Sequence, residues 1–200
     1  TKDLRKAYFL GILSFSISQL LIRIPIIQYG LSFQPWYILL SMKYPVLTIL
    51  FLSFTAGLFE EFGRYFIFKK FLPSLNLKQI LIFGLGHGGI EAFILVGLPF
   101  LYVGSTSILV NEAFYAGLER ISALIIHVSL SFFVYQSISK KTKIGLILAI
   151  TIHTLSNFLS LIFIMQGISI WIIEFGLLLT SLILLITSLK ERIKYEKNND

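Results

Sequence analysis

With the charges at helix ends set aside, nine polar side chains stand out inside the long apolar runs of this 200-residue chain: Glu60, Glu61, Arg64, His87, Glu91, His127, His153, Asn157 and Glu174. All three histidines of the sequence are among them. Ionisable groups in a bilayer cost at least ~2.5–3.5 kcal/mol each and usually face a bundle interior or a wet cavity. A carboxylate beside an imidazole in such a place can take the proton of an attacking water. A second imidazole with a carboxamide can stabilise the oxyanion that forms on a carbonyl. That is a constellation for peptide-bond hydrolysis. Three histidines with glutamates could equally bind zinc, with an open position for water. The sequence has no HExxH, so a metal would have to be gathered from several helices.

Spacing groups these residues. Glu60 and Arg64, His87 and Glu91, and His153 and Asn157 are each four positions apart, on one helical face and one turn from each other. Glu61 lies ~100° round from Glu60, so the two acids need not share a role. Arg64 is expected to pair with Glu60 or to reach the cytoplasmic interface as support. Glu174 reads as interfacial or capping, and Glu112, Glu119 and Arg120 read as solvated at the outer surface. Gly84, Gly86, Gly88 and Gly89 around His87 allow close helix packing, or leave room beside the imidazole.

The elements that must position these groups are membrane helices. Hydrophobic residues make up 56% of the chain and charged residues only 14%, about half the usual share. The fold expected is an all-α integral membrane protein with a bundle of about six spans, near 7–27, 37–69, 78–97, 119–138, 144–165 and 169–189. Breaks are expected at Pro25, Pro35, Pro73, Pro99 and Gly167, and the long second run should tilt or bend at Pro45 or Gly57. A short interfacial helix could form near Val110–Gly117. Residues 1–200 read as one polytopic domain with a polar, fraying tail from 190 to 200. A β-barrel is not expected, because the runs do not alternate apolar and polar residues.

The net charge of +7 does not point to nucleic acid, because the lysines and arginines flank apolar runs. Positive connections (Lys2–Lys6, Lys69–Lys78, Lys140–Lys143, Lys190–Lys197) alternate with connections that carry no positive charge at 28–36 and near Gly167. The positive-inside rule then places both termini in the cytoplasm of a multi-pass cell-membrane protein, and the cavity is expected to face that side. Counting ~1.5 Å per residue from the lysines, Glu60, His87 and His153 lie ~14–15 Å deep and His127 ~20 Å, close to one level. There is no cysteine and no cleavable signal peptide, and the start at Thr1 leaves room for an upstream segment.

These motifs carry a resemblance. Glu60-Glu61 with Arg64, Phe83-xxx-His87 and His153-xxx-Asn157 resemble the three-motif signature of the CAAX-protease and bacteriocin-processing (CPBP) membrane family. "FEEFGRY" and "GLGHGGIEA" are most similar to the YhfC family of intramembrane metalloproteases, related to PrsW, and Arg120–His127 resembles a PrsW motif. The match covers about residues 56–157. It implies a bacterial intramembrane endopeptidase acting on a membrane-associated peptide or protein. Glu60 or Glu61 with His87 would activate water, His153 and Asn157 would hold the oxyanion, and His127, Glu91 and Arg64 would be additional site or support groups. A zinc ion on His87, His127, His153 and Glu61 is one option, and a metal-free glutamate mechanism is the other. Two residues, not the CPBP three, separate Glu61 from Arg64, which leaves open which glutamate is the base. A non-catalytic receptor or immunity scaffold, binding a peptide in the same cavity, is the alternative. A proton-coupled transporter is disfavoured by the lack of internal repeats.

Overall fold

The computed structural model describes residues 2–103 and 110–197. Among them every regular element is helical: α1 (Lys2–Leu31), α2 (Pro35–Lys43), α3 (Pro45–Phe71), α4 (Leu77–Tyr102), α5 (Val110–Ser139), α6 (Ile144–Met165) and α7 (Ile170–Lys197). Six of the seven are long and apolar enough to cross a membrane, and α2 is the exception.

The long second run breaks at Pro45, as expected. Tyr44 sits at φ −134°, ψ 65°, because the proline ring disfavours helical geometry in the residue before it. Pro45 then begins α3, where its missing N–H costs nothing, and Gly57 passes without a bend. Pro25 and Pro99 do not end their helices. Each lies beside a stretch of i→i+5 hydrogen bonding, Ser16–Arg23 and Ile26–Leu31 in α1 and Phe93–Gly97 in α4. The widened turns let the helix run past a residue with no N–H to give. Val110–Gly117 forms the first turns of α5 and not a separate interfacial helix, while residues 104–109 lie outside the described residues.

The lysine-bearing half of the bundle is densely packed. Gly11 of α1 lies where an added Cβ would come 2.2 Å from Phe83 O, and Gly86 of α4 does the same against Tyr8 O. The two backbones therefore touch, which small residues alone permit. Beneath this contact Phe68, Phe83 and Tyr135 form an aromatic core, with ring centroids 4.4 and 5.6 Å apart. Tyr135 Oη accepts from Leu75 N at 2.7 Å, and Arg192 Nη2 donates to Leu75 O at 2.9 Å. The tail thus stays helical to Lys197 and is anchored through Arg192 instead of fraying, with 198–200 outside the described residues.

The other half is open. Close packing of α1 on α4 is confined to Lys2–Phe15 and Leu77–Ala92 and does not include the i→i+5 stretches beyond them. A cavity of about 450 Å³ fills the space, and all six long helices line it. Its walls run from Glu60, His127 and His153 to Arg23, Leu52, Leu95, Glu119, Ile164 and Glu174, toward the ends of the helices remote from the lysines. The expectation of a cavity facing the lysine-bearing side is corrected: the aromatic core fills that end, and the cavity lining extends toward the opposite one.

Candidate active site

Glu60 is the centre of the site. It lines the floor of the cavity and is 3% exposed. A nitrogen of every histidine lies within 4 Å of its carboxylate: His87 Nε2 at 3.0 Å, His127 Nδ1 at 3.9 Å and His153 Nε2 at 3.9 Å. The amide of Gln19 donates to its other side. Depth counting along four helices therefore finds one site.

Three chains of polar contacts, each anchored by an arginine, lead to this carboxylate. In the first, Arg23 Nη1 donates to Gln19 Oε1 at 3.1 Å, and Gln19 donates to Glu60. In the second, Arg64 Nη1 donates to Glu61 Oε2 at 2.6 Å, and Glu61 Oε1 lies 2.8 Å from His153 Nδ1. In the third, Arg120 Nη1 donates to Glu91 Oε1 at 3.2 Å, and Glu91 Oε2 lies 2.5 Å from His127 Nε2. Arg64 Nη2 also approaches His127 Nδ1 at 3.2 Å. A guanidinium can only donate, so His127 Nδ1 accepts and its ring proton belongs on Nε2, facing Glu91. Partner carboxylates thus fix the orientation of two imidazoles.

The two adjacent glutamates have different surroundings. Glu61 and Arg64 are fully buried behind the cavity wall, and Glu61 is satisfied by a guanidinium and an imidazole. Glu91 and Glu119 share Arg120. Among the described residues Glu60 has only histidines as ion-pair partners. The expected pairing of Arg64 with Glu60 is corrected: the arginine takes Glu61, since i,i+3 and i,i+4 neighbours are equally within reach on a helix.

Asn157 lines the cavity one turn from His153, and its amide has no hydrogen-bond partner among the described residues. His87 lies behind the wall against Phe15, its Nδ1 buried and unpartnered. Four further groups went unread or misread in the sequence. Gln19 and Arg23 repeat the four-residue spacing in α1 but were not counted among the buried polar residues. Arg120 is half-buried, held by Glu91 and Glu119 in the cavity wall, and Glu174 is 5% exposed and faces the cavity. Depth along the chain put these last two near the surface, but the cavity reaches that far.

The donor set fits a divalent ion. Two groups, Glu60 with His87 and His127 and Glu61 with His127 and His153, each bring three ligand atoms within 4.8 Å of one another. Two imidazoles and one carboxylate, with a further position open, is a composition found in catalytic zinc centres. The two groups share His127, and a cation bound there would take the Nδ1 lone pair that now faces Arg64 or replace the proton between Nε2 and Glu91.

The glycines around His87 divide in the same way. An added Cβ at Gly84 would lie 2.6 Å from Val128 Cα of α5, whereas at Gly89 it would meet nothing within 4 Å.

The sequence matches the profile described as YhfC intramembrane metalloprotease over residues 3–112 and 105–177. It is similar to the uncharacterized membrane protein YhfC of Bacillus subtilis (strain 168), with 25% identity over 187 residues, covering 76% of this chain and 70% of the relative. No solved structure matches the chain.

Proposed function

The chain belongs to the YhfC intramembrane metalloprotease family, and on that premise we propose that it is an endopeptidase that cleaves a membrane-embedded or membrane-associated peptide. The observation that carries this reading is the convergence of all three histidines on Glu60 at the floor of a cavity open to the outer half of the bundle. With both termini in the cytoplasm, as the lysine distribution implies, the cut falls in the outer half of the bilayer.

Glu60 takes the proton of the attacking water. It faces the cavity, and among the described residues no guanidinium pairs with it directly. His87 and Gln19 hold its two oxygens and fix its direction. Glu61, pinned by Arg64, orients His153. As an imidazolium with Nδ1–H held by Glu61, His153 donates from Nε2, together with the unpartnered Asn157 amide, to the oxyanion that forms as water adds to the carbonyl. Glu60 then returns its proton to the leaving amine, so the step ends with one acid, one amine and the carboxylate restored. A divalent cation held by Glu60 or Glu61 with the histidines would polarise the carbonyl and acidify the water.

The test uses purified protein in lipid nanodiscs and a transmembrane peptide carrying a fluorophore and quencher. The expected result is cleavage that a chelator abolishes and added zinc restores. Cleavage by protein shown to be metal-free would leave the glutamate mechanism standing without the ion. Peptide binding with no cleavage under any metal condition would overturn the enzyme reading in favour of a receptor scaffold.

A further inference from the structure

Five carboxylates lie at or behind the cavity wall, and four have partners. Glu60 has Gln19 and His87, Glu61 has Arg64 and His153, Glu91 has His127 and Arg120, and Glu119 has Arg120. Glu174, on the second turn of α7, is the remaining one. It lines the cavity at 5% exposure, and its Oε2 is fully buried with no hydrogen-bond partner.

Neither nearby guanidinium hydrogen-bonds Glu174 among the described residues, because each is turned to other partners. Arg120 gives Nε and Nη2 to Glu119 and Nη1 to Glu91. Arg23 gives Nε to Thr55, Nη1 to Gln19 and Nη2 to Leu52 O at 2.7 Å. A buried carboxylate without a partner is costly unless it takes up a proton or meets a cation, and its place in the wall of a binding cavity suits a positive group from outside the chain. Its α7 neighbours Ile173 and Leu177 line the cavity with it, as does Ile164 of α6. An apolar collar with an acid within it suits an aliphatic stem that ends in a charge.

We propose that Glu174 forms a specificity subsite for a lysine or arginine side chain of the substrate. This rests on the endopeptidase reading and names the class of peptide it takes. The charged groups that act on Glu174 are Glu119 and Arg120. Arg120 stands seven residues from His127 on α5, ~10 Å along the helix axis. An extended peptide spans that distance in ~3 residues. The basic residue therefore lies about three residues to the outer side of the scissile bond, where a membrane segment meets its outer interface.

The experiment measures binding, so that it does not depend on cleavage. Three N-acetylated, fluorescently labelled transmembrane peptides differ at one outer position, which carries lysine, norleucine or glutamate. They are titrated into nanodiscs holding the protein, its Glu174→Gln variant and its Glu174→Lys variant. The lysine peptide should bind the unaltered protein about tenfold or more tightly than the norleucine peptide, the scale expected for a buried charge pair. Glu174→Gln should bring the two within about twofold, and Glu174→Lys should make a glutamate-bearing peptide the preferred one. Equal binding of the lysine and norleucine peptides by the unaltered protein overturns the subsite, as does binding of neither or a lysine preference that survives Glu174→Gln. Cleavage of the same peptides, followed in parallel, bears only on the protease reading. A protein that prefers lysine but never cuts would sink that reading and leave the subsite.

Discussion

The two halves of this bundle are built on opposite principles from the same helices. In the lysine-bearing half, α1 and α4 touch backbone to backbone at Gly11 and Gly86, and Phe68, Phe83, Leu130 and Val134 are fully or nearly fully buried. In the other half the same two helices pass into i→i+5 turns and lose that contact, and polar side chains line the gap. The closed half has no role in chemistry, yet it fixes the level at which Glu60, His87 and His153 meet. A reactive polar group in a bilayer needs both conditions: a rigid dry base to set its position, and an open side from which water and substrate arrive.

Substitutions should separate the halves by what they damage. The largest effect on stability is expected where they join. Arg64→Ala leaves Glu61 as a buried charge without its guanidinium, which should cost about 3–5 kcal/mol. The melting temperature in detergent would show it. A melt unchanged from the parent would mean that Arg64 belongs to the open half.

Gly86→Ala comes next. Its Cβ would meet Tyr8 O at 2.2 Å, so the helices must part at a cost of about 3 kcal/mol, near the top of the usual range for overpacking. Gln19→Leu should behave differently, because it lies in the open half. It removes a donor to Glu60, so cleavage should fall by about 1.5–3 kcal/mol of transition-state stabilisation while the melt barely moves. A loss of stability in place of activity would erase the distinction between the halves at this point. The smallest effect belongs to Gly89→Ala, three residues from Gly86. With nothing within 4 Å of the added methyl, the helix should gain up to about 1 kcal/mol from better propensity. Opposite signs for Gly86 and Gly89 would sharpen the comparison within a single helix.

Much of the closed half was legible in the sequence, because its signals are one-dimensional. Apolar length, the lysine pattern and the glycines of α4 each report on a single helix. The i,i+4 pairs also gave the right helices and nearly the right depth for the site. What the sequence could not resolve was pairing across space. Glu60 and Glu61 are adjacent in the chain, and only the fold shows that one faces the cavity and the other lies behind it. Arg23 stands near the end of a run expected to stop at 27, but the helix continues to Leu31 and places the arginine inside. Gln19 carries no charge, so a survey weighted toward ionisable groups passed it over. Arg120 and Glu174 were read as surface groups for one common reason: depth along a helix says nothing of how far a cavity reaches.

Glu60 as the reacting carboxylate at the cavity floor is the claim on which the rest depends. The most direct test compares cleavage of the fluorogenic transmembrane peptide by the unaltered protein and by Glu60→Gln, with folding matched by their melts. The amide keeps the shape of the side chain but cannot take a proton from water. Cleavage should fall by about 10³-fold, within the range for loss of a general base, with no loss of stability. A Glu60→Gln protein that cuts at the parent rate would contradict the account.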